Sequence, residues 1–397
     1  MKVFIITRIP FPNGMAATNR IKCYAKALIE QGISCKVLIF TRTEVYGKPY
    51  MNTIGEGEFE GISYKYIGGT PLRNSNLLVR QFDDFHDKLK LIHFLKRSLE
   101  TGDVVFGYCG GCVRYINLLI DVIHHKKAKY VRDLCELPYG TAKETQKAIH
   151  YRRITLEKQF PKCDGIIAIS EALKDLAYQY KGENTEIIKI PIMVDFDKYE
   201  MEDRSNESNI PYIFHSGTLY EQKDGILGMI EAFGIACKKY KKEIKFISTG
   251  NIENSPHSKQ IKDLIKKYSL EDKIRFTGYL DNHELKQYLA KATLVIINKY
   301  NTQQNKYCFS TKLAEYLAAG KIVILTNIGE ATNWLKDNES AYIVETENCE
   351  KLADKIIYAL ENKQQSLEIA KNGKVICRQC FNYKKYGKIL INFLQKN

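Results

Sequence analysis

Short apolar runs recur along this chain, and stretches of helical periodicity lie between them. KVFIIT (2–7) opens the series, and the stretch from Thr18 to Gln31 follows with apolar residues three and four apart. CKVLIF (35–40), GDVVFGY (102–108), AKYVRDL (128–134) and DGIIAIS (164–170) continue it, with helical segments such as His86 to Leu99 between. Strands that alternate with helices pair in parallel, because the intervening helix carries the chain back to the same edge of the sheet. The pattern predicts a doubly wound sheet.

The same rhythm then begins again. PYIFHSG (211–217), EIKFISTG (243–250), KIRFTGYL (273–280), ATLVIIN (292–298), KIVILTN (321–327) and SAYIVE (340–345) are a second set of β-rich runs. The polar, acidic stretch MVDFDKYEMEDRSNESNIP separates the two sets and reads as a linker. The expected class is α/β, with two Rossmann-like domains. Domain one spans residues 1–192, the linker 193–210 and domain two 211–379. A pair of such domains facing each other leaves a cleft, and ligands in open parallel sheets bind beyond the carboxyl ends of the strands.

Composition narrows the partners. The 397 residues suffice for two cores, and no run of about 20 apolar residues is present to span a membrane. The first residues read as a strand, without the order of a signal peptide, so a cytoplasmic location is expected. Lys plus Arg number 60 against 46 Asp plus Glu, a formal charge of +14, which favours anionic partners. The basic residues are spread along the chain and no nucleic-acid motif accompanies them, so nucleic acid is not an expected partner. Two CxxC pairs, Cys109/Cys112 and Cys377/Cys380, have zinc-ligand spacing, but they lie far apart. Isolated reduced thiols are the preferred reading, and no metal is assigned.

Three loops that follow strands carry residue types suited to an anion. In the first, Phe11 to Arg20, Gly14 permits close backbone approach, and the helix start that follows Met15 offers N–H groups. Arg20, one turn into that helix, either reaches a phosphate or covers the helix face. In the second, His215 to Gly225, Gly217 opens the turn before Thr218, and Lys223 is a mobile cation. In the third, Tyr307 to Gly320, Ser310, Thr311 and Lys312 lie at a helix start, with Glu315 about a turn further. A carboxylate there accepts both hydroxyls of a ribose. Each loop taken alone is equally well an ordinary turn or cap.

Together these segments resemble the retaining GT-B glycosyltransferases of family 4 over nearly the whole chain. NGMAATNRIKCYAKAL, CDGIIAISEAL, IPIMVDFDKY, HSGTLYEQKDG and FSTKLAEYLAAGKIVI carry the resemblance. The last is the most specific and is similar to the second half of the family's Glu-x7-Glu motif, with Glu315 as its second glutamate. The resemblance implies a nucleotide-sugar donor, such as a UDP- or GDP-sugar. Its diphosphate would be held by Gly14 and Met15 on one side and by Gly217, Lys223, Ser310 and Thr311 on the other. Glu315 would bind ribose, and Tyr279 would lie near the base. It further implies that the tail from about residue 380 crosses back onto the first domain. The chain departs from the pattern at Tyr307, where the first glutamate falls. It departs again at Thr218, which stands for an arginine and leaves Lys223, with Lys306 or Lys312, to supply the charge.

Glu136, in Arg132 to Pro138, is the candidate to orient an acceptor hydroxyl or accept its proton; it or Asp133 equally well caps the next segment. The acidic triplet Asp195 to Asp197 lies in the linker and is not read as a metal site. The expected reaction is metal-independent sugar transfer with retention, to a glycan or lipid-linked acceptor in surface-polysaccharide synthesis. An anionic membrane surface is a further expected partner, reached by peripheral attachment. His86 to Leu99 mixes Lys88, Lys90, Lys96 and Arg97 with apolar residues, and reads either as an interfacial helix or as a core-facing helix with a basic outer face. A nucleotide-sugar epimerase and a non-catalytic nucleotide-sugar-binding relative are the competing readings.

Overall fold

The computed structural model describes residues 1–47, 50–108, 110–140, 144–199 and 210–396. Cys109 of the first CxxC pair and residues 200–209 of the expected linker lie outside the described residues. The chain forms two compact units. Unit 1 comprises Met1–Val194 and Tyr383–Asn397, and unit 2 comprises Asp195–Asn382.

Among the described residues, unit 1 is built on ten strands: β1 (Lys2–Thr7), β2 (Ser34–Ile39), β3 (Glu44–Val45), β4 (Glu56–Phe59), β5 (Ile62–Tyr66), β6 (Leu72–Arg73), β7 (Val104–Tyr108), β8 (Lys129–Leu134), β9 (Gly165–Ala168) and β10 (Glu186–Lys189). Eight form one sheet in the order β10-β9-β8-β7-β1-β2-β5-β4, while β3 and β6 pair separately. Every ladder of the large sheet is parallel except β4–β5. Strands β7 and β9 are buried at every position, as expected where helices cover both faces.

The β4–β5 hairpin was not read from the sequence. Its turn is Glu60-Gly61, both at positive φ (53° and 78°), the backbone that a two-residue hairpin requires. The helix Leu77–Ser98 begins nine residues before the predicted His86, where the Asn76 carboxamide accepts the N–H groups of Leu78 and Val79 at 2.9 and 3.3 Å.

Unit 2 carries six parallel strands: β11 (Tyr212–His215), β12 (Lys245–Ser248), β13 (Ile274–Phe276), β14 (Leu294–Ile297), β15 (Ile322–Thr326) and β16 (Tyr342–Val344). Their order is β13-β12-β11-β14-β15-β16. The order reverses at β11, which lies between β12 and β14. Loops leaving β11 and β14 therefore diverge to opposite faces and open a crevice at the carboxyl edge.

The chain passes between units twice. The first part of the expected linker is folded rather than open. Phe196 is buried, with the Arg378 guanidinium 4.9 Å from its ring centre and the Lys374 ammonium at 5.9 Å. At the second passage the Tyr383 N–H donates to the Val194 carbonyl at 3.2 Å. The helix Gly387–Lys396 then packs on the helix Ala16–Ile29. A Cβ at Gly387 would lie 2.7 Å from the Ala27 carbonyl oxygen, so a side chain there would force the two helices apart. Among the described residues, no helix is long and apolar enough to cross a membrane.

Candidate functional site

The crevice of unit 2 is assembled by the loops after β11 and β14 and by the helix Thr311–Ala318. The loop after β11 turns at Gly217. A Cβ there would meet the His215 ring at 2.3 Å and the Asp224 carboxylate at 2.8 Å, so only glycine fits. The Thr249 hydroxyl, beyond β12, accepts the Gly217 N–H at 2.8 Å and donates to its carbonyl at 3.0 Å. Beneath the turn, His215 is 2% exposed and bonded through Nδ1 to the Ser248 hydroxyl at 3.0 Å. Burial, reinforced by the charges of Lys312 and Lys299, lowers its pKa to about 3.

Asp224 organises the positive groups. Its Oδ2 accepts the Thr218 N–H at 3.0 Å and hydroxyl at 3.2 Å, and its Oδ1 pairs with the Lys312 ammonium. Burial alone would raise this carboxyl, yet the charges of Lys312, His215 and Lys299 hold it below the usual carboxylate range. Thr218 therefore serves the loop, using the position where the resembled family has an arginine to bind Asp224. The Lys299 ammonium donates to the Lys223 carbonyl, which brings a third lysine to the same place. Lys312 is lowered first by burial, against which Asp224 acts, and then by the repulsion of Lys299 and Lys223. One buried carboxylate thus pairs with Lys312 alone while Lys299 and Lys223 add their charges beside that lysine, and the excess positive charge suits a di-anion.

The helix start completes the arrangement. Ser310 precedes the helix without capping it through its side chain, so its first N–H groups point out. Ser310 and Lys299 line one small hollow of about 20 Å³ with Thr326 and Asn305. The buried Tyr316 hydroxyl accepts the Ser216 N–H at 3.0 Å and lies 3.0 Å from its hydroxyl, locking helix to loop. Glu315 lies one turn along, half-buried, on the same helix as Ser310, Thr311 and Lys312. Tyr279, 63% exposed, follows the paired Gly250 and Gly278 at the ends of β12 and β13. The structure thus brings Gly217, Thr218, Lys223, Ser310, Thr311, Lys312 and Glu315 to one edge of one sheet.

Lys299 and Asp224 were missed. Lys299 stands two residues past β14 and was legible as a strand-end cation. Asp224 gave no signal, because its role depends on burial that sequence spacing does not reveal.

Unit 1 has its own opening at the carboxyl edge. The loop after β1 is pinned by Tyr66, whose hydroxyl accepts the Phe11 N–H at 3.1 Å and donates to the Phe11 carbonyl at 2.9 Å. Gly14 is required there because a Cβ would meet the Thr18 hydroxyl at 2.1 Å. Met15, exposed, precedes a helix start with no side-chain cap.

Arg20 is a correction. It is 1% exposed, and its guanidinium donates to the carbonyls of Pro191 (2.6 Å) and Ile190 (3.1 Å), to the Tyr24 hydroxyl (2.5 Å) and to Asp133 (3.2 Å). The helix face that bears Arg20 turns into the core, so Arg20 secures the end of β10 and is withdrawn as a phosphate ligand.

Glu136 lines a cavity of about 880 Å³ with Arg8, Arg132, His150, Tyr139 and Tyr151. It is exposed and caps no helix; the next helix, Gln146–Lys158, is capped by Thr145. Asp133 is consumed by Arg20 and Tyr24. The rings of Tyr139 and Tyr151 stack at 5.4 Å and form an aromatic wall. Among the described residues, no group of three His, Cys, Asp or Glu side chains is placed to hold a metal ion. The ten described cysteines are free thiols.

Two Rossmann-like units, the second with a cationic crevice at its strand ends, give an α/β fold of the GT-B kind. Residues 197–375 match the family model described as Glycosyl transferases group 1. The match covers the second unit and marks that segment as a glycosyl transferases group 1 domain. No curated protein matches the sequence. Among solved structures, HepE from Anabaena in complex with UDP and glucose is 16% identical, with both chains covered in full and a TM-score of 0.72. Sucrose-phosphate synthase from Thermosynechococcus elongatus is 14% identical over 100% of this chain and 98% of that one, with a TM-score of 0.74. A TarM variant from S. aureus, in complex with fondaparinux, alpha-GlcNAc-glycerol and UDP, is 14% identical over 99% and 100%, with a TM-score of 0.71.

Proposed function

We propose that the chain transfers a sugar from a nucleotide-sugar donor to a hydroxyl of a glycan or lipid-linked acceptor, retaining the anomeric configuration. The observation that carries this is the gathering of Lys223, Lys299 and Lys312, the last of them paired with Asp224, at an uncapped helix start. As the bond to the sugar breaks, negative charge grows on the departing diphosphate. Groups already fixed to receive that charge lower the barrier, because nothing must reorganise at the moment of reaction. The lysines and helix N–H groups supply this charge from the protein itself, which supports a metal-independent reaction.

In this reading Gly217, Thr218, Ser310 and Thr311 shape the diphosphate site, Glu315 takes the ribose hydroxyls and Tyr279 flanks the base. In unit 1, Gly14 and Met15 lead into a second uncapped helix start whose N–H groups suit an anion. Glu136 orients the acceptor hydroxyl, and the Tyr139–Tyr151 stack offers a face for an acceptor sugar. The incoming hydroxyl attacks on the face that the diphosphate leaves. UDP is the first nucleotide to test, since HepE and TarM were both solved with it. The expected setting is surface-polysaccharide synthesis at the inner face of a membrane.

Thermal-shift measurements against UDP-, GDP- and ADP-sugars test the donor site, because a bound ligand stabilises the folded state. NMR of the product's anomeric proton then tests retention. A donor-binding relative without transfer is the second reading, favoured by Tyr307 in place of the first motif glutamate. A nucleotide shift without turnover of any donor would establish it.

A further inference from the structure

The helix Leu77–Ser98 turns its core residues inward as expected: Leu91 and Leu95 are buried, and Phe94 packs edge-on against Phe4 at 5.9 Å. Its first half is unusual. Leu78, Phe82, Phe85 and Leu89 are spaced four, three and four apart, which places them on one face. That face is the solvent face, with exposures of 74, 66, 61 and 48%. The interfacial character anticipated for His86 to Leu99 thus lies mainly one stretch earlier. Four large apolar side chains in a row on a free surface mark a site of association.

The same helix borders a basic hollow. A cavity of about 270 Å³ is lined by Arg8, Arg42, Arg73 and Arg80, with Asp83, Asp84 and Asp87 also on its wall. A second, of about 370 Å³, shares Arg8, Arg42 and Arg73. Arg42 is already neutralised by Asp83 at 2.6 Å and Asp87 at 3.2 Å, and Asp84 is paired with Lys88 at 2.9 Å. Arg8, Arg73 and Arg80 form no ion pair among the described residues, and the Arg80 Nε lacks a hydrogen-bond partner. Arg8 also walls the Glu136 cavity, so the basic hollow continues into it. Planar guanidinium groups, weakly hydrated and able to bind in two-pronged fashion, are matched to phosphate oxygens.

We propose that this surface receives an acceptor carried on a lipid phosphate. The phosphate lies among Arg8, Arg73 and Arg80. The hydrocarbon, with the bilayer that holds it, lies against Leu78, Phe82, Phe85 and Leu89. The sugar reaches past Arg8 toward Glu136. A soluble anionic glycan would use the arginines and leave the apolar row without a role, whereas a neutral lipid would do the reverse. This names the acceptor class within the transferase reading and rests on it for its purpose, though not for its test.

Co-sedimentation of the full-length protein with vesicles tests it. Phosphatidylcholine vesicles are compared with the same vesicles carrying a polyisoprenyl phosphate. The phosphate is expected to strengthen binding. R73Q with R80Q should abolish that gain, about fivefold per arginine, and F82S with F85S should abolish binding to both vesicle types. Arg73, Phe82 and Phe85 are exposed and glutamine keeps a polar side chain at the half-buried Arg80, so melting temperatures should stay near the wild-type value. Equal binding to both vesicle types by the wild type overturns the proposal. So does displacement by a water-soluble hexose 1-phosphate together with wild-type binding by the phenylalanine variant, which would indicate a soluble anionic acceptor. The UDP thermal shift reports separately on unit 2. Its absence would sink the donor reading while leaving the vesicle result standing.

Discussion

Lys312 and Asp224 are joined by an ion pair that ties the start of one helix to the loop after β11. The pair does two things at once. It fixes the lysine in a half-buried position at the mouth of a helix, and it leaves the site positive, because the charges of Lys299 and Lys223 also bear on Lys312. Without Asp224, Lys312 would face that repulsion with no carboxylate to offset it.

The lysines divide into two kinds, and their removal should have different consequences. Lys223 is exposed and holds no structural ion pair, so K223A is expected to weaken UDP binding by about tenfold or more, the worth of a charge-assisted contact. The melting temperature should not change. K312A removes the partner of a buried carboxylate and should lower both affinity and stability, the latter by about 3 kcal/mol. Calorimetric titration of UDP together with denaturant unfolding separates the two. Equal stability loss in both variants would show that the charges serve the fold alone.

His215 makes stability depend on pH. In the unfolded chain it takes a proton near pH 6.5, while in the folded protein burial delays this to about pH 3. A base whose folded pKa is depressed contributes its stability in full above the unfolded value and loses it as pH falls. The loss therefore builds between about pH 6.5 and 3, at no more than about 1.4 kcal/mol per pH unit. Asp224, also depressed, acts only below its ordinary 3.8, and His124, raised by its bond to Asp164, adds stability as pH falls, so a loss in the upper part of this window belongs to His215. Urea midpoints measured from pH 7 to 5 should fall for the wild type and flatten for H215N. A parallel decline in both proteins would remove His215 as the cause.

The architecture was largely legible before any coordinates, and the reason is physical. In a sheet covered on both faces every strand must be apolar, and runs such as KVFIIT and ATLVIIN state this without ambiguity. The β4–β5 hairpin lay hidden because an edge strand half in water, EGEF, alternates glutamates with Gly57 and Phe59 and lacks such a run. The strand-end loops were legible as a tight turn and a helix start because Gly217 and Ser310 carry local signals. Arg20 was misplaced because spacing puts a residue on a helix but does not say which face turns inward. Its partners, Asp133, Ile190 and Pro191, come from segments more than a hundred residues away.

That misplacement yields its own prediction. Arg20 and Asp133 are both buried, with Tyr24 donating to the same Asp133 oxygen at 2.6 Å. The second Asp133 oxygen has no hydrogen-bond partner, so the carboxylate depends heavily on Arg20. Removing one member of such a pair strands the other in a low-dielectric interior, at a cost of about 3–5 kcal/mol. R20L should therefore unfold at markedly lower denaturant. The double variant R20L with D133L should recover part of the loss, since no buried charge remains. UDP affinity of the folded R20L protein should match the wild type. A fall in affinity with unchanged stability would restore Arg20 as a ligand.

Glu136 stands apart from these structural carboxylates because it is exposed, caps nothing and faces a cavity large enough for a sugar ring. An acceptor sugar resting on the Tyr139–Tyr151 stack would bring a hydroxyl past that carboxylate. E136Q keeps the shape and the capacity to accept a hydrogen bond from the acceptor but removes the basic charge. Base assistance to a reacting hydroxyl is worth about a hundredfold or more. E136Q should therefore lower kcat by that order while leaving the KM for the donor unchanged. Y139A should instead raise the acceptor KM, since it removes binding surface and not chemistry. Steady-state kinetics on both substrates distinguish the two effects. If E136Q raised only the acceptor KM, Glu136 would be a binding group, and the reacting hydroxyl would have to lose its proton to the departing phosphate.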